Sequence, residues 1–133
     1  MTNVSLQFLG AAGTVTGSKH LLKTPQGNLL IDCGLFQGLK SLRLRNWEPL
    51  PTDVHTIDAI LLTHAHLDHC GYLPLLVKMG FSGKIYCSEP TRQLAAIILA
   101  DSARIQEEDS EFENRAGYSK HQPALPLYTE KDV

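Results

Sequence analysis

Val4, Leu6 and Phe8 alternate with polar or smaller residues, the two-residue period of a half-buried strand. Residues 10–18, rich in Gly, Ala, Ser and Thr, break that period and predict a flexible loop. Residues 20–24 read as a second strand, Pro25, Gln26 and Gly27 turn the chain, and residues 28–32 return as a third, completing a hairpin. Residues 34–51 lack a clear period, apart from a short helix around residues 39–45. Residues 58–63 are almost continuously apolar, the pattern of a strand buried on both faces.

The period then changes. Residues 72–79 predict a short helix closed by Gly80, and residues 84–87 another short strand. Ser88 is placed to cap a long helix, with Pro90 in its first turn, running to about Arg115 before Gly117. Leu94, Ile97, Ile98, Ile105 and Phe112 fall in one helical stripe, but Asp101 and Glu108 share it. Either further sequence supplies partners for these carboxylates, or this end of the helix is exposed; the second is the simpler reading. Strands first, then strands alternating with helices, predict an α+β layered fold: a mixed sheet with helices packed on it.

The chain has 133 residues, enough for one domain with a real core, and its 43% apolar and 20% charged content is ordinary for a soluble globular protein. Residues 94–100, the longest nearly apolar stretch, are too few to span a bilayer, so no membrane role is expected. The first five residues lack the basic region of a secretory signal, which favours the cytoplasm. Net charge is −2, and the nearest thing to a basic stripe is Lys40, Arg43 and Arg45, read as a solvated face. A polyanionic substrate would therefore need its positive field from metal ions or another part of the protein. Cys33, Cys70 and Cys87 are odd in number and form no Cys-x-x-Cys pair; they read as buried free thiols. Thr129 to Asp132 has the Ser/Thr-x-x-Asp/Glu form that opens a helix, although Val133 follows at once. The chain is thus expected to be a piece of something longer, the alternative being a frayed polar terminus.

The chemistry concentrates just after the apolar strand. Residues 64–69 read His-Ala-His-Leu-Asp-His, holding half of the chain's six histidines. Strand ends in αβ folds combine rigid backbone with accessible side chains, and ligand sites collect there. Spaced i, i+2, His64 and His66 point the same way if extended geometry persists, and can grip one metal ion together. Asp68 and His69, in the next turn, can face a second ion. Imidazole and carboxylate donors suit zinc, and Mn²⁺ and Fe²⁺ accept the same set. Two adjacent ions make a water nucleophilic at neutral pH, and the carboxylate of Asp68 can both hold an ion and take that water's proton. Asp32 ends an apolar strand; it either orients a metal-bound histidine by hydrogen bonding or caps its own turn.

Together the loop at residues 10–18, the Asp32-Cys33-Gly34 run and residues 63–71 resemble the metallo-β-lactamase superfamily. That resemblance implies the N-terminal part of its fold, with Asp32 as an orienter, His64 and His66 ligating one zinc, and Asp68 and His69 ligating the other. Residues 71–74, 85–91 and 101–107 further resemble the β-CASP branch of RNA-processing nucleases, related to the mRNA 3′-end cleavage factor nuclease. The family completes its metal sites with a downstream His and Asp and covers them with a β-CASP domain. Beyond His69 this chain has only His121, which nothing marks as that ligand. Residues 1–133 are thus expected to be the first part of the metallo-β-lactamase domain, with each metal site about half built.

The resemblance implies a zinc-dependent hydrolase cleaving RNA phosphodiesters. The alternatives are a thioesterase or other small-molecule hydrolase on the same fold, and a catalytically silent fragment or scaffold. Half of a layered domain would also leave apolar strand faces uncovered, and self-association of the fragment is expected from that.

Overall fold

The computed structural model describes residues 3–117 and 123–133. Five strands form one sheet in sequence order: β1 (Ser5–Gly10), β2 (Lys19–Thr24), β3 (Gly27–Ile31), β4 (Ala59–Leu61) and β5 (Lys84–Tyr86). β1, β2 and β3 pair antiparallel; β3, β4 and β5 pair parallel. The sheet is mixed, as the change of period along the chain predicts. Thr24 and Gly27 pair across a two-residue turn, and the Thr24 hydroxyl donates to the Gly27 carbonyl. Between β3 and β4 lie a short helix α1 (Lys40–Arg43) and two 3-10 turns. After β4 come α2 (Leu67–Cys70) and α3 (Leu73–Lys78), and after β5 the long α4 (Glu89–Ala116). Ser88 caps α4 through the Thr91 amide, and Gly117, in the left-handed region, ends it.

Register assigns the two faces. Leu21, Leu30 and Ile60 stand in one cross-strand row, are completely buried, and form the centre of the core with Leu62, Leu73, Leu76 and Phe81. The adjacent row on the opposite face runs Phe8, His20, Ile31, Leu61 and Tyr86. Here Phe8 is 61% exposed, Leu61 40% and Tyr86 53%. Two expectations are therefore corrected. β1 has the predicted alternation, yet Val4, Leu6 and Phe8 face outward and Leu9 faces the core. The run at residues 58–63 is covered on one face only, because all the helices that cover the sheet lie on the side of Ile60 and Leu62.

The stripe on α4 is corrected too. Leu94, Ile97, Ile105 and Phe112 are exposed and Ile98 packs partly against the core, while Thr91, Ala95, Leu99, Ser102 and Ala103 are buried; the far end of the helix is exposed, as the simpler reading expects. The small face wins because it lets the helix approach closely and because Tyr128 crosses over it. The Tyr128 ring is fully buried; its hydroxyl lies 3.0 Å from the Ser102 Oγ and donates to the Gly71 carbonyl at 2.7 Å. Asp101 and Glu108 are exposed, and both pair with Arg104 one turn away on the same helix. At Thr129 the capping box is formed, opening a 3-10 turn at Glu130–Asp132. No helix among the described residues is long and apolar enough to cross a membrane.

Ile60→Ala should lower unfolding free energy by about 2–5 kcal/mol, the cost of emptying a packed core position. Leu61→Ala, one residue along and on the open face, should cost under about 1 kcal/mol. Urea denaturation of both variants checks which face is the core.

Candidate metal centre

The site is built where β3 and β4 end side by side. Asp32, just beyond β3, takes a left-handed backbone conformation (φ 59°), and its amide donates to the Leu61 carbonyl at 2.9 Å. Asp tolerates this region better than most residues, and the twist turns its side chain beneath the neighbouring loop. Its carboxylate is almost fully buried and satisfied. Oδ1 accepts from the Thr63 amide at 2.8 Å; Oδ2 accepts from the Thr63 hydroxyl and from His69 Nδ1, both at 2.7 Å. Asp32 thus caps no turn of its own; it reaches across to the histidine loop.

These contacts dictate the histidine tautomers. A carboxylate already accepting from Thr63 offers His69 only acceptor capacity, so Nδ1 of His69 carries the proton and Nε2 keeps its lone pair. The Thr63 hydroxyl spends its proton on Asp32, so at 2.8 Å it can only accept from His64 Nδ1. His64 is left with Nε2 free as well. Two imidazoles with Nδ1 hydrogen-bonded and Nε2 open are prepared to ligate a metal ion. Thr63 is the residue that sequence reasoning passed over. Its β-branched side chain fits an apolar strand, and only its place directly before His64 marked it.

The loop brings the four predicted donors together. The His64 ring centroid lies 4.7 Å from that of His66 and 4.1 Å from that of His69. Extended backbone at His66 then opens α2, which carries Asp68 and His69. Asp68 Oδ2 stands 3.5 Å from His69 Nε2. Two ligands on one tetrahedral ion, with bonds near 2.0–2.1 Å, stand about 3.3 Å apart. Donor type and this spacing therefore fit a divalent cation. Among the described residues, however, no three His, Cys, Asp or Glu side chains converge closely enough to hold one ion alone. His121 lies outside the described residues.

Backbone contacts fix the loop from below. The Ser18 amide donates to the Asp68 carbonyl, the Cys33 amide to the His69 carbonyl and the Tyr72 amide to the Cys33 carbonyl. Gly34 is indispensable, since a Cβ there would fall 1.6 Å from the Asp68 carbonyl oxygen. Cys33 and Cys70 are buried free thiols; burial raises them to about 12 and about 11, so both remain protonated. Cys87 is half-buried.

Comparison with known proteins places this geometry. A family model described as the metallo-beta-lactamase superfamily matches residues 13–127. "Ribonuclease TTHA0252" of Thermus thermophilus is 46% identical over 74% of this chain and 22% of its own length. "Transcription termination factor FttA" of Cenarchaeum symbiosum is 35% identical over 99% of this chain and 19% of its own. "Integrator complex subunit 11" of Danio rerio is 31% identical over 79% of this chain and 18% of its own. The chain spans about a fifth of the length of these relatives.

Asp32→Asn replaces one acceptor oxygen by a donor. Imidazole ¹⁵N spectra should then show His69 leaving the pure Nδ1–H tautomer. Thr63→Val, which removes the hydroxyl between Asp32 and His64, should lower stability by about 1–2 kcal/mol in urea denaturation.

Proposed function

The chain belongs to the metallo-beta-lactamase superfamily, and on that premise we propose that it is the metal-binding portion of an RNA-processing phosphodiesterase of the β-CASP branch. The observation that carries this reading is the pairwise proximity of His64 to His66 and His69 on one loop, with Asp68 and His69 spaced as two ligands of one ion. RNA as the substrate is supported by the ribonuclease among the relatives. His64 and His66 would hold one ion and Asp68 and His69 the other, with zinc the expected metal and Mn²⁺ or Fe²⁺ compatible with the same donors. Bound there, such ions supply Lewis acidity and lower the pKa of a water molecule.

The chain's own groups do the rest. Asp32 and Thr63 hold His64 and His69 with Nε2 outward, so no tautomer change is needed before they act. The Asp68 carboxylate accepts the proton of the water that attacks phosphorus, while the bond to the leaving ribose oxygen breaks. The half-open side of the loop, where Thr63 and His66 are exposed, is the side from which an RNA phosphate would approach. With only two donors assigned to each ion, the remaining ligands would come from sequence beyond the 133 residues.

In the whole protein, His66→Ala and Asp68→Ala should each reduce RNA cleavage by more than about a hundredfold, since loss of a group merely supporting a ligand already costs 10–100-fold. A gel-based cleavage assay with metal-replete protein checks this, and near wild-type cleavage by either variant would refute the two-metal reading. Hydrolysis of a thioester with RNA left intact would instead support the small-molecule alternative.

A further inference from the structure

Lys19 shares the core face of β2 with Leu21. It opens β2 yet is only 2% exposed, and among the described residues nothing accepts a hydrogen bond or forms an ion pair with its ammonium. Its Nζ sits 4.7 Å from the Phe36 ring centroid and 4.5 Å from that of Tyr72. No buried side-chain nitrogen among the described residues is left without a partner, so Nζ keeps its access at the cleft, and two ring faces return only part of the hydration it gives up. A second cation is aimed at the same place: the Arg45 guanidinium lies 4.2 Å from the Phe36 ring centroid. Both line a cleft of about 190 Å³ walled by Leu9, Leu50, Tyr72 and two prolines. The cleft is a built feature. Asn46, buried beside Arg45, accepts from the Phe36 amide and donates to the Phe36 carbonyl, both at 2.8 Å, which clamps the Arg45 segment to the ring.

We propose that this cleft binds a small oxyanion, a phosphate or a carboxylate, with Lys19 and Arg45 as its counter-charges. The other titratable groups facing Lys19 do not fill that role. Cys33 is a thiol held protonated by burial, and the Tyr72 phenol is likewise raised, to about 12. Glu48 lines the cleft but is exposed and pairs with neither cation within 4.0 Å, so it stands at the mouth in solvent. Burial and the nearby Arg45 charge pull Lys19 down to about 8, with Cys33 opposing. At pH 7 Lys19 is still mostly charged, and an anion beside it would raise that value again. The site is independent of the metal loop and needs no ion there. It is joined to that loop through backbone, the Ser18 amide donating to the Asp68 carbonyl and the Tyr72 amide to the Cys33 carbonyl.

The test is an amide chemical-shift titration of the chelator-treated chain at pH 7 with sodium phosphate, and separately sodium acetate, using sodium chloride as the ionic-strength control. Saturable shifts centred on residues 19, 36, 45–51 and 72 with either anion support the site, and the anion that produces them identifies the oxyanion class. Lys19→Met, which exchanges a buried ammonium for an apolar chain of similar length, should weaken binding at least tenfold. Arg45→Gln, at a half-buried position, should also weaken it, whereas Glu48→Gln should tighten it several-fold. Binding should fall as pH rises from 7 to 9.5, as Lys19 loses its proton. Absence of saturable shifts at these residues with both anions, shifts confined to residues 64–69, or unchanged affinity in both Lys19→Met and Arg45→Gln would each overturn the proposal.

Discussion

The buried carboxylate of Asp32 is the contact on which the site depends. It closes the gap between two parallel strand ends by accepting from the Thr63 amide, and it fixes His69 directly and His64 through the Thr63 hydroxyl. Buried charge is costly unless every lone pair has a partner. Here three donors surround two oxygens, so the cost is offset and the histidines become the price of satisfying it. A carboxylamide in its place would offer a donor where His69 needs an acceptor, and the order would be lost at both rings together. The left-handed backbone at Asp32 belongs to the same constraint, since only that turn sends the side chain under the loop.

Much of this was legible in the chain. The hairpin return at residues 28–32, the apolar run before Thr63 and the donor spacing of residues 64–69 each state a local rule that local structure obeys. Asp32 was ambiguous because capping its own turn and reaching across to another strand leave the same sequence mark. Thr63 was invisible because β-branched residues are common in strands for packing reasons. Only the parallel pairing that ends at Ile31 and Leu61, and the Asp32 side chain that reaches past it to Thr63, give its hydroxyl a job.

The misread faces share one physical cause. Periodicity says which residues lie together; it does not say which face meets a neighbour. On α4 the large apolar stripe is exposed while Ala95, Ser102 and Ala103 go inward, because close approach and the hydroxyl of Tyr128 favour small residues there. On β1 the large residues at positions 4, 6 and 8 stand on the sheet's open face, with Phe8 set edge-on to His20 at 5.4 Å. Apolar side chains on an open sheet face are available for contact with another surface.

Among the described residues, the histidine loop is held by hydrogen bonds that need no bound ion. The hydrogen bonds that set the loop come from Ser18, just before β2, and from Asp32, Cys33 and Leu35, in the segment that follows β3. Gly34 admits the Asp68 carbonyl to within a distance that a side chain would forbid, locking loop to strand through backbone alone. Preorganisation therefore resides in this portion of the fold, and ligands from elsewhere would meet imidazoles already in the right tautomer. The support that orients a ligand need not come from the segment that completes the coordination sphere.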